Sequence, residues 1–299
     1  MTFPAEAIRG SITPLPTPFT RDGSRIDEAA FKRMVEFQIE RGSHGISCTG
    51  TTGEPTSLSF EERKQIIRTA VEAAAGRVPV VAGSGSNNTD ESIALSRYAE
   101  EVGADAVLTV APYHVKPNQQ GLFEHFTAIA QSVRIPMMLY NIPGRAAVNI
   151  EPKTQKRIRE ACPNVFGVKE ANADFAQVSW DIHECGRDWA VFSGIETLCY
   201  PMLALGGAGH VSATGNVAPR ESADLYEHVK AGRWAEAIDL HYRLLRLNDV
   251  LFIETNPGPL KFLLGEMGLI EPTLRKPMAT VTEASQKKIR QVAKDYGLL

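Results

Sequence analysis

The sequence holds no run approaching the roughly 18 apolar residues that would cross a bilayer, so no membrane-spanning helix is expected. Residues 1–10 lack the apolar core of a secretory leader. The four cysteines, Cys48, Cys162, Cys185 and Cys199, form no CxxC pair. That scatter argues against a structural zinc site and leads us to expect reduced thiols and a cytoplasmic protein. There is no basic tract. The 32 lysines and arginines stand against 35 aspartates and glutamates, a formal net charge of -3, so no nucleic-acid surface is expected. No GxGxxG follows the first apolar segment, which weakens the case for a doubly wound open sheet. Low-complexity tracts and flexible linkers are missing too.

What is present is ordinary in amount and regular in order. Hydrophobic residues make up 43% of the 299, enough for one large core. Short apolar segments fall at 12–19, 45–48, 78–83, 106–110, 136–140, 166–169, 189–193 and 210–213. Their length and β-branched content suit strands buried on both faces, as in a parallel sheet. Helical patterns separate them. Phe31, Met34, Val35 and Ile39 share one face, as do Ile66, Ile67, Ala70 and Val71 of a helix over 60–75. Further helices are expected over 89–102, 121–132, 152–161, 175–184 and 198–205. Eight strand–helix units in series predict an α/β fold, the (β/α)8 barrel. We expect the barrel over 1–221 and a C-terminal helical domain over 222–299, with helices at 234–248, 259–267 and 283–295.

Barrel active sites collect at the C-terminal ends of the strands. The sixth strand, Val165-Phe166-Gly167-Val168, stops at Lys169-Glu170. An ammonium in an apolar wall is poorly solvated, which favours the free amine that attacks a carbonyl to form a Schiff base. A lysine that merely caps the strand and reaches water is the bland alternative. The other strand ends supply Thr51, Thr52 and Glu54, then Tyr113 and His114, then Tyr140, Asn141 and Arg145, then Ser193, Gly194 and Glu196, and finally Val211, Ser212 and Thr214. Backbone N–H groups and hydroxyls around Gly50-Thr51-Thr52-Gly53 can hold a carboxylate, although alone the stretch reads as a turn. Tyr140 can shuttle a proton or serve as a core tyrosine. Arg145 follows Pro143-Gly144 and can grip a carboxylate with two bonds. Glu170 and Glu196 read as structural partners. Gly83-Ser84-Gly85-Ser86-Asn87-Asn88 lacks the lysine and spacing of a P-loop and reads as a connection. The set is a kit for imine chemistry on a 2-oxo acid.

Gly50-Thr51-Thr52-Gly53-Glu54, Tyr140-Asn141-Ile142-Pro143-Gly144-Arg145 and Gly167-Val168-Lys169-Glu170 resemble the dihydrodipicolinate synthase and N-acetylneuraminate lyase family of class I aldolases. The resemblance extends over the whole chain, through Asn256-Pro257 to the helical end. It implies a (β/α)8 barrel, a homotetramer, and no metal or organic cofactor. It implies Lys169 as the Schiff-base lysine, Tyr140 as proton relay, and Thr51 and Thr52 as the site of the pyruvate carboxylate. Gly194 and Val211 complete the substrate-binding set, with Tyr113 and His114 as accessory positions. Arg145 matches the synthases, where an arginine holds the carboxylate of the semialdehyde. His114 departs from them, standing where a second tyrosine is usual, and so does Ile195 after Gly194.

The function expected is therefore condensation of pyruvate with a carboxylated aldehyde, of the dihydrodipicolinate synthase kind. The alternatives are an aldolase that releases pyruvate from a longer 2-oxo acid, of the 4-hydroxy-2-oxo acid or 2,4-dihydroxyhept-2-ene-1,7-dioate type, and a silent barrel that only binds. Lysine-sensitive synthases carry a histidine or glutamate near the start of the helix after the GTTGE loop. Phe60 stands there in this chain. Free lysine should therefore inhibit little. A steady-state titration that finds strong inhibition would contradict this reading.

Overall fold

The computed structural model describes residues 3–299. Eight parallel strands close into one barrel in chain order, each pairing with the next and the last with the first. They are β1 (Gly10–Pro14), β2 (Gly45–Cys48), β3 (Val80–Gly83), β4 (Ala106–Val110), β5 (Met137–Asn141), β6 (Val165–Glu170), β7 (Ala190–Ser193) and β8 (Gly209–Val211). Between them lie α1 (Glu28–Glu40), α2 (Phe60–Ala74), α3 (Thr89–Glu101), α4 (Gln119–Gln131), the single turn α5 (Pro143–Ala146), α6 (Pro152–Ala161), α7 (Phe175–Cys185) and α8 (Cys199–Ala204). After β8 come α9 (Pro219–Lys230), α10 (Trp234–Val250), α11 (Gly258–Glu266) and α12 (Glu283–Asp295). The (β/α)8 barrel expected from the pattern is the fold found.

Alternation along the strands sorts the side chains into two cores. Ile12, Val81, Leu108, Met138, Tyr140, Phe192 and Val211 fill the barrel. Ile46, Val107, Leu139, Val168 and Val191 face outward and pack with the helices. In β6 this leaves Val168 outside and Lys169 inside. Gly167 is required by the neighbouring strand, because a Cβ there would lie 2.1 Å from the Ala190 carbonyl oxygen.

Several boundaries differ from expectation. The first strand starts at Gly10 and ends, as expected, at the prolines of the 12–19 segment, because Pro14, Pro16 and Pro18 offer no N–H to a ladder. Strand β5 runs one residue further than expected, to Asn141, and α5 follows it directly. Asn118 caps α4 from its side chain, so that helix starts at Gln119. The expected domain boundary at 221/222 falls inside α9, which begins with Pro219 in its first turn and packs against β1. We propose that the division follows α9, at the turn where Gly232 takes a positive φ of 71°.

The C-terminal helices are tied to the barrel mouth by a buried ion pair. Lys261 Nζ of α11 lies 2.6 Å from Glu54 Oε1, the two side chains being 0% and 3% exposed. Glu54 sits in the left-handed region, at φ 54°, just past the turn Thr51–Gly53. Burial lowers the Lys261 pKa to about 8 against the pull of Glu54, and the Phe19 ring centroid 4.2 Å away gives the ammonium a second partner. Removing one member of such a pair strands the other charge, which costs about 3–5 kcal/mol. Lys261→Met should therefore lower the urea midpoint by a corresponding amount and loosen the Thr51–Gly53 turn. A midpoint close to the parent's would show that the pair is not holding the mouth together.

Candidate active site

Strands β5 and β6 pair with Tyr140 opposite Lys169 and Asn141 opposite Glu170. Inward alternation at this level brings the phenol and the amine together. Lys169 is 6% exposed and Tyr140 4%, and Lys169 Nζ lies 4.2 Å from the Tyr140 ring centroid. A cation over a ring face is held there electrostatically. Gly194, just beyond β7, leaves room for the lysine. A Cβ at Gly194 would come within 2.9 Å of Lys169 Cε and of Ala171 Cβ. Gly194 thus shapes the path of the lysine stem.

Glu196 is buried and interacts electrostatically with Lys169. Burial raises its pKa, opposed by the Ala213 N–H donated to its Oε1 at 2.8 Å and by the charge of Lys169. Its bond from Ala213 ties the segment after β7 to the segment after β8.

Tyr140 also forms part of the wall of a cavity of about 290 Å³ at the barrel mouth. Thr51, Tyr113 and Arg145 are on the same wall. Arg145 is exposed, and its one partner among the described residues is the Asn256 carbonyl, to which Nη2 donates at 3.4 Å. The guanidinium thus keeps most of its donors free for an anion. Thr52 is buried under the wall, and its hydroxyl oxygen accepts from Asn256 Nδ2 at 3.1 Å. Val211 packs inside the barrel with Ile12, Tyr140 and Phe192, below the cavity. His114 is exposed, at a φ of 73°, and does not line the cavity. Among the described residues, no three His, Cys, Asp or Glu side chains gather as metal ligands would.

The strand-end reasoning missed one side of the cavity. Asn256, Pro257, Pro277 and Met278 close it from the C-terminal segment. The Asn256-Pro257 pair was the one signal available in sequence. Pro277 and Met278 carried none.

A desolvated amine against a phenol, beside a cavity with a threonine and a free arginine, suits barrel lyases that work through an imine. Residues 7–296 match the model of the dihydrodipicolinate synthetase family, and the chain belongs to that family. It is 46% identical over 292 residues to the 4-hydroxy-tetrahydrodipicolinate synthase of Thermus thermophilus, with 97% of each chain covered. Identity to the Brucella suis protein of the same name is 45% over 292 residues, covering 98% of this chain and 99% of that one. The solved dihydrodipicolinate synthase of Aquifex aeolicus superposes with a TM-score of 0.95 at 40% identity, covering 97% of this chain and 99% of that one. The family inferred from the three motifs is the family found.

The geometry around Lys169 makes a local prediction. Gly194→Ala should slow reductive methylation of Lys169 by about tenfold or more, since small displacements of a reacting group are costly. Peptide mass spectrometry reads the rate. An unchanged rate would mean that the stem simply moves aside.

Proposed function

We propose that this protein condenses pyruvate with an aldehyde that carries its own carboxylate, as a 4-hydroxy-tetrahydrodipicolinate synthase. The observation that carries the reading is the buried Lys169 amine against Tyr140, next to a cavity lined by Thr51 and Arg145. In this mechanism the neutral amine adds to the pyruvate ketone, giving a carbinolamine. Tyr140 passes a proton to the departing hydroxyl, water leaves, and a protonated imine remains. The imine draws electrons from C3, a C3 proton is lost, and the enamine adds to the aldehyde carbon. The aldehyde oxygen takes up a proton as the new carbon–carbon bond forms.

Thr51 and Thr52 are assigned to the pyruvate carboxylate and Arg145 to the distal carboxylate of the aldehyde. Thr52 acts from below through the turn it shares with Thr51, and Gly194 through the lysine stem. We assign Val211 to the floor, with Tyr113 as an accessory wall group. His114 is assigned to contacts outside this chain's cavity, in keeping with a homotetramer. The proposed setting is cytoplasmic. No described helix is long and apolar enough to cross a membrane.

The test is covalent first and kinetic second. Borohydride added with pyruvate should leave a reduced pyruvyl group on Lys169, and Lys169→Arg should abolish it, because guanidinium stays protonated. An adduct on another lysine, or none, would overturn the mechanism. Arg145→Ala should cut kcat/KM for the aldehyde by at least ~10-fold, the worth of a charge-assisted contact, while pyruvate trapping changes far less. Aspartate semialdehyde should be clearly preferred over succinic semialdehyde, since its amino group closes the product ring. The reverse preference would support the pyruvate-releasing aldolase instead.

A further inference from the structure

Behind the proposed site, on the outer face of the barrel, lies a buried polar cluster that the mechanism does not use. Glu170 and Asp181 are both 0% exposed. Asn141 Nδ2 donates to both oxygens of Glu170, each at 3.0 Å. The Asn172 N–H donates to Oε1 at 2.8 Å and Gln177 Nε2 to Oε2 at 3.3 Å. Asn141 is fixed in turn. Its Nδ2 also donates to Asn149 Oδ1 at 2.7 Å, and its Oδ1 accepts from the Ile150 N–H at 2.9 Å. The donors around both oxygens favour an ionised Glu170.

Asp181 differs. Its Oδ1 accepts from Gln155 Nε2 at 2.9 Å, while Oδ2 is buried with no donor to accept from. Two adjacent buried carboxylates would repel strongly, and an ionised Asp181 would leave Oδ2 unsatisfied. A proton on Asp181 removes both problems, because the two side chains are in hydrogen-bonding contact and the Asp181 hydroxyl can then donate to Glu170.

We propose that Glu170 and Asp181 hold a single proton between them, and that this acid–carboxylate pair, gripping Asn141, is the positioning device that keeps Tyr140 and Lys169 in register. The argument rests on the assignment of Lys169 and Tyr140 made above. Asn141 and Glu170 are the next residues along β5 and β6 after the phenol and the amine, and they are paired across the ladder. The clamp thus holds from outside the two strand ends whose inner faces carry the site.

The electrostatic surroundings of the two carboxyls favour the same arrangement. Burial raises the pKa of Asp181 first, and the charge of Glu170 raises it further, against the bond from Gln155. Burial raises Glu170 as well, offset by its bonds from Asn141 and Asn172. The other titratable groups nearby are accounted for. Lys156 of α6 pairs with Glu184 of α7 at 3.3 Å. Arg159 of α6 is taken by Asp188 and the Cys185 carbonyl. The Cys185 thiol on α7 is pushed up to about 12 by burial and stays neutral.

A raised carboxyl pKa means that the folded state keeps a proton the unfolded chain has released. Stability therefore falls as pH rises from the ordinary carboxylate range towards the raised value. Asp181→Asn supplies a permanent donor to Glu170 and needs no proton. Its melting temperature, relative to the parent's, should rise steadily from about pH 5 to about pH 9. It should trap pyruvate at neutral pH within ~3-fold of the parent. Glu170→Gln places an amide donor against Asn141 or Asn172 and should slow trapping by ~10-fold or more.

Parallel melting curves for Asp181→Asn and the parent across this range would overturn the shared proton. Parent-like trapping by Glu170→Gln would overturn the positioning role. Failure of the parent itself to trap pyruvate would refute the Schiff-base reading and with it the positioning role, while the melting comparison would still decide the proton.

Discussion

The pairing of β5 with β6 is the constraint on which the site depends. In a closed barrel each strand end has one residue facing in and the next facing out. With Tyr140 opposite Lys169, and Asn141 opposite Glu170, one register serves both faces. A slip of one residue would turn Lys169 into the helix layer and bring Glu170 into the barrel. Gly167 belongs to this constraint, since β6 runs so close to β7 that no Cβ fits there.

The second face of the site depends on sequence far away. The turn Thr51–Gly53 comes early in the chain, yet its neighbours are Asn256 below Thr52 and Lys261 against Glu54. Arg275 reinforces the same corner, donating its N–H towards Glu54 at 3.4 Å and pairing with Glu62 at 2.7 Å. The C-terminal helices thus complete the mouth of the barrel, and they supply part of the cavity wall through Pro257 and Pro277.

How much of this could be read beforehand follows from which contacts are local. Strand ends are local: an apolar run stops at a polar residue, and the barrel rule places that residue at the mouth. That rule points to Lys169, Tyr140, Thr51 and Arg145. Packing across long separations is not legible in such runs, so Pro277 and Met278 went unseen on the wall. The division expected between 221 and 222 falls inside a helix that carries Pro219 in its first turn, a common way to begin one. His114 shows the limit most plainly. Its place after a strand marked it as a site residue, but the chain turns it outward, and nothing within one chain says what it meets.

Three buried acids surround the site, and each is held by different means. Glu54 has a buried ammonium, Glu170 has amides and a neighbouring acid, and Glu196 has a backbone N–H and the charge of Lys169. The proposed substrates bring two carboxylates into the cavity. Charges that close in a poorly hydrated space interact far more strongly than in water. Three uncompensated glutamates would repel such substrates, and Lys169 and Arg145 alone could not offset them. Lys261 is therefore part of the electrostatics of the site although it touches no substrate. The proton on Asp181 plays the same part, because without it the outer face behind the imine would hold two negative charges instead of one. On this reading each buried acid at the barrel mouth has its own compensating partner, and the fold meets the two substrate carboxylates with Lys169 and Arg145.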